Sequence, residues 1–313
     1  MKSVLSKLAS NETFAGYVFL LPNLLGFLVF TSLPVLASLG LSFVEWDILT
    51  PPKFIGFANF THLLGFHRET GCLVPNDPYF WKYLYNTAFL MLNIPFCMLG
   101  SLIVALALNQ KLKGITVFRT IFFLPTICAG VAVCMLWKWI LNSEFGLLNI
   151  FLIRVFAFLH LGVQPPEWLS SSTWAKPALM LMGLWSAIGG MNMLLYLAAL
   201  QGVPKELYEA AEIDGASGWK KFVAVTLPFL SPTTFFIAIM GVIGGFQGGF
   251  MQSYVMTQGG PAGSTTTIEY YIYNNAYEWF KMGYASSIAW FLFLVILVVT
   301  LINWRFGGKL VHY

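Results

Sequence analysis

The side chains of this chain that could do chemistry are few, and many of them are gathered in one place. Glu206, Glu209, Glu212 and Asp214 are four of only 13 acidic residues, and the one Lys-Lys pair, Lys220-Lys221, follows closely. Most of this cluster falls in EAAEIDGASGWKKFVAVTLPFLSP, Glu209–Pro232, a charged island between two long apolar runs. Carboxylates at three-residue spacing, with neighbouring ammonium groups and no histidine or cysteine beside them, suit polar docking rather than bond-making. No Ser/His/Asp or Cys/His set is placed for nucleophilic catalysis, so no catalytic residue is assigned. His62, His67 and Cys72 share a loop, but their spacing matches no metal pattern and they read as solvated loop residues. A nucleotide cradle of the form G-x-x-x-x-G-K-[ST] is absent. Gly307-Gly308-Lys309 lacks the preceding spacing and the Ser/Thr. The chain is therefore expected to bind no cofactor or metal itself.

The elements that must carry this island are apolar. The composition is 58% hydrophobic, 17% aromatic and 10% charged, against roughly 25% charged in a soluble domain. Charge-free runs extend over Thr13–Val44, Tyr83–Gln110, Thr120–Trp137, Pro177–Val203, Phe222–Ile268 and Met282–Trp304. A span needs about 20 apolar residues, so six transmembrane helices are expected. The fifth run is too long for one helix; its polar tail, 257–267, must be loop, which leaves a span near Thr233–Met256. Pro22 and Pro34 should break or kink the first span, with two pieces, the first along the interface, as one outcome. Leu147–Val163 is apolar but carries Arg154 at its centre, which is costly in lipid, so it reads as interfacial or re-entrant rather than as a seventh span.

With the N-terminus inside, Lys2, Lys7, Lys111, Lys113, Arg119, Lys205, Lys220, Lys221, Arg305 and Lys309 lie inside, ten of 17 basic residues. The net charge of +4 then reflects membrane orientation and not nucleic-acid binding. The first apolar run is too long for a signal peptide and lacks a small-residue cleavage site. Cys97, Cys128 and Cys134 read as small buried apolar residues, and Cys72 lies alone in an outside loop. The organisation is an inside tail, 1–12, one integral domain, 13–306, and a second inside tail, 307–313. No span contains Asp or Glu, which counts against a proton-driven carrier and leaves sodium coupling through carbonyls open.

If no energy source lies in the chain, a partner must supply it. Within the inside segment 204–228, Pro204 fits a first helical turn. Asp214-Gly215 stops that helix with a left-handed cap. Ser217 can cap a second short helix, Gly218–Val225. Pro228 and Pro232 mark re-entry to the fifth span. The small residues Ala210, Ala211, Gly215 and Ala216 permit close approach of another protein surface. By the residues alone, a compact solvated linker remains equally open.

The island resembles the EAA signature of the integral membrane subunits of binding-protein-dependent ABC importers. Glu209-Ala210-Ala211, Asp214-Gly215-Ala216, Phe222 and Leu227-Pro228 fall at that family's positions. Further stretches are similar to its carbohydrate branch, the maltose- and glycerol-phosphate-type permeases. These are Ser42-Phe43 with Trp46, Gly56-Phe57-Ala58-Asn59-Phe60, Asn86-Thr87, Phe118-Arg119-Thr120 with Leu124-Pro125, Gly146-Leu147-Leu148-Asn149, and Thr257-Gln258-Gly259-Gly260-Pro261. The resemblance covers roughly 15–305. It implies an all-α, polytopic type I permease fold with an inside coupling helix-turn-helix.

It also implies a machine. Glu209 to Phe222 would dock in a cleft of a separate ATPase dimer, which carries ATP and magnesium, with Glu209 the principal polar contact. The other partners would be a second permease subunit, expected to be a different chain, and an outside solute-binding protein meeting loops 45–80 and 257–281. The site would be the cytoplasmic membrane of a bacterium or archaeon, with the N-terminus cytoplasmic. An importer permease for a non-sugar solute, or a secondary transporter, are the rival functions.

For the solute path, Trp185, Gly189, Asn192 and Tyr196 recur at i, i+4, i+7, i+11. Gln247, Met251 and Tyr254 share a face in the same way. Aromatic and amide groups suit a sugar, and the alternative is inter-helix glue. Gly241, Gly245 and Gly249 suit a close helix-packing face.

Overall fold

Proline sets the course of the helices before packing does. Its ring clashes with the carbonyl four residues back and removes one N–H donor. The sequence predicts that Pro22 and Pro34 interrupt the first span. The computed structural model, which describes residues 12–69, 72–110 and 113–307, instead has one helical run, Ala15–Ser42. Pro22 lies inside the helix Glu12–Phe27. Ahead of Pro34 the chain widens into a π turn, Leu28–Ser32, before the helix Leu33–Ser42. The wider turn accommodates the ring without ending the helix. The same device recurs at Pro228, where a π turn, Phe222–Thr226, precedes the short helix Leu227–Phe229. Both sites read hydroxyl residue, Leu, Pro: Ser32-Leu33-Pro34 and Thr226-Leu227-Pro228.

Four helices are long and apolar enough to cross a bilayer: Ala15–Ser42, Pro78–Leu108, Ala175–Gln201 and Met282–Arg305. Two bent pairs bring the number to six if each pair is one span. The expected third span, Thr120–Trp137, is not straight. It consists of Ile115–Ile127 and Gly130–Ile140, bent by 98° where Cys128 and Ala129 are extended. Cys128, expected to be buried, is exposed at that bend, whereas Cys97 and Cys134 are buried. The fifth span is entered through Gly218–Phe229, bent by 61° against Ser231–Phe246. It ends at Phe246, short of the predicted Met256. Leu147–Phe158 has 12 helical residues, about 18 Å at 1.5 Å per residue, too short to span. Arg154 is exposed on it. The tails 1–11 and 308–313, and Lys111, lie outside the described residues.

The chain divides by its internal contacts into two units, Met1–Asp77 with Ile272–Phe291, and Pro78–Tyr271 with Leu292–Tyr313. The first holds the Ala15–Ser42 run and two small strand pairs. Val44–Glu45 pairs antiparallel with Lys53–Phe54, and Phe66–Glu69 with Cys72–Pro75. The Asn59 amide donates to the carbonyls of Ser42 and Val44, at 2.9 and 3.1 Å. Phe43, Phe57 and Phe60 pack ring to ring beside it. Tyr284 donates its hydroxyl to the buried Asp77 carboxylate, at 2.5 Å, and Trp290 donates to Ser38.

The second unit has two apolar clusters. One joins Ala105, Leu108, Met193, Tyr196, Leu197, Leu200, Leu230 and Ile237. The other joins Val133, Cys134, Trp137, Leu141, Ala178, Leu179, Met182 and Met256. Its helices approach closely at small residues. Between Ala175–Ile188 and Met191–Gln201 the chain breaks at Gly189-Gly190. A Cβ on Gly189 would lie 2.0 Å from the Phe122 carbonyl oxygen. A Cβ on Gly241 would lie 3.0 Å from the Ile94 side chain and one on Gly245 2.7 Å from that of Met91, so these two form the close packing face that the spacing predicts, whereas Gly249 lies beyond the helix end at Phe246 and meets Thr267 instead.

Because the obstacle at Gly189 is backbone, Gly189→Ala must push two helices apart. We expect a loss of about 1–3 kcal/mol and a lower thermal unfolding midpoint in detergent. Gly40→Ala, where a Cβ meets nothing within 4 Å, should instead stabilise by about 0.5–1 kcal/mol.

Candidate functional site

The charged island folds as local chemistry requires. Pro204 precedes the helix Lys205–Ile213. That helix ends with Gly215 left-handed at φ +72°. The Gly215 N–H donates to the Glu212 carbonyl at 3.0 Å and the Ala216 N–H to the Ala211 carbonyl at 2.9 Å. These two bonds make a Schellman cap, which glycine permits without a Cβ penalty. Ser217 caps the next helix, Gly218–Lys221, by accepting from the Lys220 N–H. That helix continues through the Phe222–Thr226 π turn, so the second helix predicted over Gly218–Val225 is present in modified form. Two side-chain contacts tie the pair together: Tyr208 to Thr226 at 2.8 Å, and Lys221 to Glu212 at 2.5 Å. The ion pair is exposed and adds little.

What remains outward is distinctive. Glu209, Ala210, Asp214 and Gly215 are exposed, while Ala211, Ala216 and Phe222 are half-buried. The Glu209 and Asp214 carboxylates have no partner among the described residues. Ile213 and Trp219 are 87% and 72% exposed. A rigid turn showing carboxylates beside two large apolar side chains is suited to a protein surface.

The second feature is a cavity of about 360 Å³ in the second unit. Its polar lining is Thr87, Asn93, Asn192, Gln252 and Thr267, and glycines of the fifth span form one wall. No charged residue lines it. Asn93 donates to the Met180 carbonyl at 2.9 Å, and Thr87 accepts from the Ile268 N–H at 2.9 Å.

Of the five residues predicted for a solute path, Asn192 lines this cavity. Trp185 is partly exposed, edge-on to Trp137 at 5.8 Å. Tyr196 is 1% exposed within an apolar cluster. Gln247 is exposed at the end of Ser231–Phe246, and Tyr254 stacks on Phe250 at 5.4 Å. The single helical faces drawn through these residues do not exist, because the helices break between them, at Gly189-Gly190 and at 247–249, where Gly249 has φ +94°. The second break turns Gln252 into the cavity. Sequence reasoning passed over Gln252, Asn93 and Thr267; the glycine pair at 248–249 is the signal that could have located the change of phase.

Among the described residues no three His, Cys, Asp or Glu side chains are placed to hold a metal. His67 hydrogen-bonds Asn76 at 2.9 Å, and His62 lies edge-on to Tyr284.

Residues 77–307 match the model of the binding-protein-dependent transport system inner membrane component. The chain belongs to this family. It is 35% identical to the probable ABC transporter permease protein YesP of Bacillus subtilis (strain 168), over 98% of this chain and 95% of that one. It is 34% identical to the arabinooligosaccharides transport system permease protein AraP of the same organism, over 94% and 89%. A solved bacterial ABC transporter involved in the import of the acidic polysaccharide alginate has the same fold, with a TM-score of 0.79 at 23% identity, covering 98% and 99% of the two chains. The chain is thus a multi-pass membrane permease component with the importer permease fold.

Within this permease, family motif residues serve as anchors. Asn86 donates to the Gly263 and Thr266 carbonyls, both at 2.9 Å, and Arg119 to the Leu108 carbonyl. Asn149 accepts from the Trp168 indole at 2.7 Å. One acidic group lies closer to the fifth span than its place in the loop 257–281 implies. Glu269 accepts from the Phe250 N–H at 3.0 Å, covering the start of the segment after the 247–249 break. Burial pushes the Glu269 carboxyl above its ordinary value, opposed by the Phe250 N–H. The folded state therefore holds the proton more tightly than the unfolded chain. This contribution to stability is complete below the ordinary carboxylate pKa and is lost as pH rises through the raised value. Glu269→Gln keeps an acceptor for Phe250 and removes the titration. Its unfolding midpoint should change less than that of the parent between about pH 4 and pH 8, as thermal melts at each pH would measure.

Proposed function

We propose that this chain passes a sugar or sugar derivative across the cytoplasmic (inner) membrane of a bacterium or archaeon, by alternating access driven by a separate ATPase dimer. The N-terminus is cytoplasmic in this reading, which puts the 204–228 loop on the ATPase side. ATP and magnesium belong to the ATPase, and this chain contributes the docked helices. Glu209 is the principal polar contact, with Ala210, Ala211, Asp214, Gly215, Ala216 and Phe222 shaping the fit. A second permease subunit, of a different sequence, completes the pathway. An outside solute-binding protein delivers the cargo to loops 45–80 and 257–281.

The observation that carries the coupling role is the build of the island. A solvated linker has no need of a Schellman cap, a serine cap and the Tyr208–Thr226 bond, and it would not hold Ile213 and Trp219 out in water. A rigid, partly apolar turn can transmit motion from a docked partner to the fifth span through the helical run Gly218–Phe229, which meets Ser231–Phe246 at a 61° bend. The sugar assignment is supported by the name of a relative, a permease for arabinooligosaccharides. It is also supported by a cavity whose polar groups are amides and hydroxyls, which match sugar hydroxyls.

Glu209→Lys reverses the exposed docking charge, and Gly215→Asp places a side chain at a left-handed position facing the partner. Each should abolish solute uptake in cells while membrane insertion, followed by quantitative blotting of the membrane fraction, stays at the parental level. Normal uptake by both variants would sink this reading.

A further inference from the structure

Among the described residues six glycines line the cavity: Gly183, Gly241, Gly244, Gly245, Gly248 and Gly249. Five have a structural reason to lack a side chain. A Cβ on Gly183 would crowd the Asn93 amide at 3.1 Å, and those on Gly241 and Gly245 would crowd Ile94 and Met91. On Gly248 it would lie 2.7 Å from the Gly244 carbonyl oxygen. Gly249 is left-handed at φ +94°. Gly244 has none of these reasons. It is exposed, its φ lies outside the left-handed region, and a Cβ there meets nothing within 4 Å. Within the helix Ser231–Phe246 such a glycine is less stable than alanine, because it gives up more conformational freedom on folding. Packing inside this chain does not account for it.

What the missing side chain leaves is space in the cavity. Gly244 lies two helical turns after Ile237, at about 3.6 residues per turn, so both belong to one helical face, and both line the cavity. The cavity also presents two half-buried amides, those of Asn192 and Gln252, which make no side-chain hydrogen bond among the described residues. Its volume of about 360 Å³ is near the lower end of the range for small-molecule sites, about 300–1,000 Å³, so one added side chain takes a sizeable share. We infer that Gly244 is a specificity-determining residue that sets the upper size of the saccharide this permease passes. Asn192 and Gln252 hold one sugar unit, and the open wall at Gly244 takes the ring or branch that a larger cargo carries beyond it. A side chain of the second permease subunit is the rival occupant of that space. The uncharged amides and hydroxyls of the lining favour the solute, since they match saccharide hydroxyls. This inference rests on the saccharide-permease reading above.

The test is uptake by cells carrying the complete importer, with labelled neutral mono-, di-, tri- and tetrasaccharides as probes. Gly244→Leu should cut uptake of the largest probe that the parent carries by about tenfold or more, and leave that of the smallest within about twofold. Gly244→Val should give the same size order with a smaller loss, and serves if the Leu variant fails to reach the membrane. Gly244→Ala should raise the thermal unfolding midpoint in detergent by about 1–4 °C. Co-purification of the second permease subunit should match the parent in all three variants. An equal loss for every probe, or no loss with either Leu or Val, would overturn the inference. So would weaker co-purification of the second subunit, or a lowered midpoint for Gly244→Ala, since residue 244 would then be a packing site. A parent restricted to monosaccharides overturns this inference alone, because no larger cargo would need the space. Failure of the parental importer to take up any saccharide overturns the reading beneath it as well.

Discussion

Backbone N–H and C=O groups cannot be left unpaired in hydrocarbon, where each costs several kcal/mol, and the rest of this structure follows from how that requirement is met wherever a helix stops. The spans are not uniform rods. They break at Leu92, Cys128-Ala129, Gly189-Gly190 and 247–249, and polar side chains bond backbone groups of other segments, beside the breaks at 189–190 and 247–249 and elsewhere. Ser101 donates to the Ala187 carbonyl, Asn93 to Met180, Asn86 to Gly263 and Thr266, and Glu269 accepts from Phe250.

The breaks are also where the chain becomes useful. The cavity is lined from both sides of the 247–249 break and by the helix that ends at Gly189. Motif residues such as Asn86, Asn59 and Asn149 do not point at a solute. They hold loops and helix ends, and the shape of the pathway depends on them indirectly. The 204–228 loop shows the complementary case. There the backbone bonds are satisfied locally by caps, which frees Glu209, Ile213 and Trp219 to face outward.

Much of this was legible in the sequence. The apolar runs mark the spans because a bilayer needs a fixed length of apolar chain. The island's two helices could be drawn from Pro204, Asp214-Gly215 and Ser217, since a cap depends on residues within a turn of one another. The packing role of Gly241 and Gly245 followed from their spacing. The solute face was less legible. A helical wheel assumes continuous phase, and the phase is lost at Gly189-Gly190 and at 247–249, so Tyr196 enters the core and Gln252, rather than Gln247, reaches the cavity. Pro34 misled in the opposite direction, because a π turn can absorb a proline that an α turn cannot.

The sequence by itself therefore determined the solvent in which the chain lives, the order of its spans, the local shape of the charged island and, by its motifs, the family. The tertiary structure decided which interruptions become real breaks, which polar groups line the cavity, and that Glu269 reaches back to Phe250. The physical reason is range. Caps and apolar length are properties of consecutive residues. Satisfaction of a broken backbone is supplied by groups far away in the chain, as with Asn86 and Thr266, 180 residues apart, and only folding brings them within hydrogen-bonding distance.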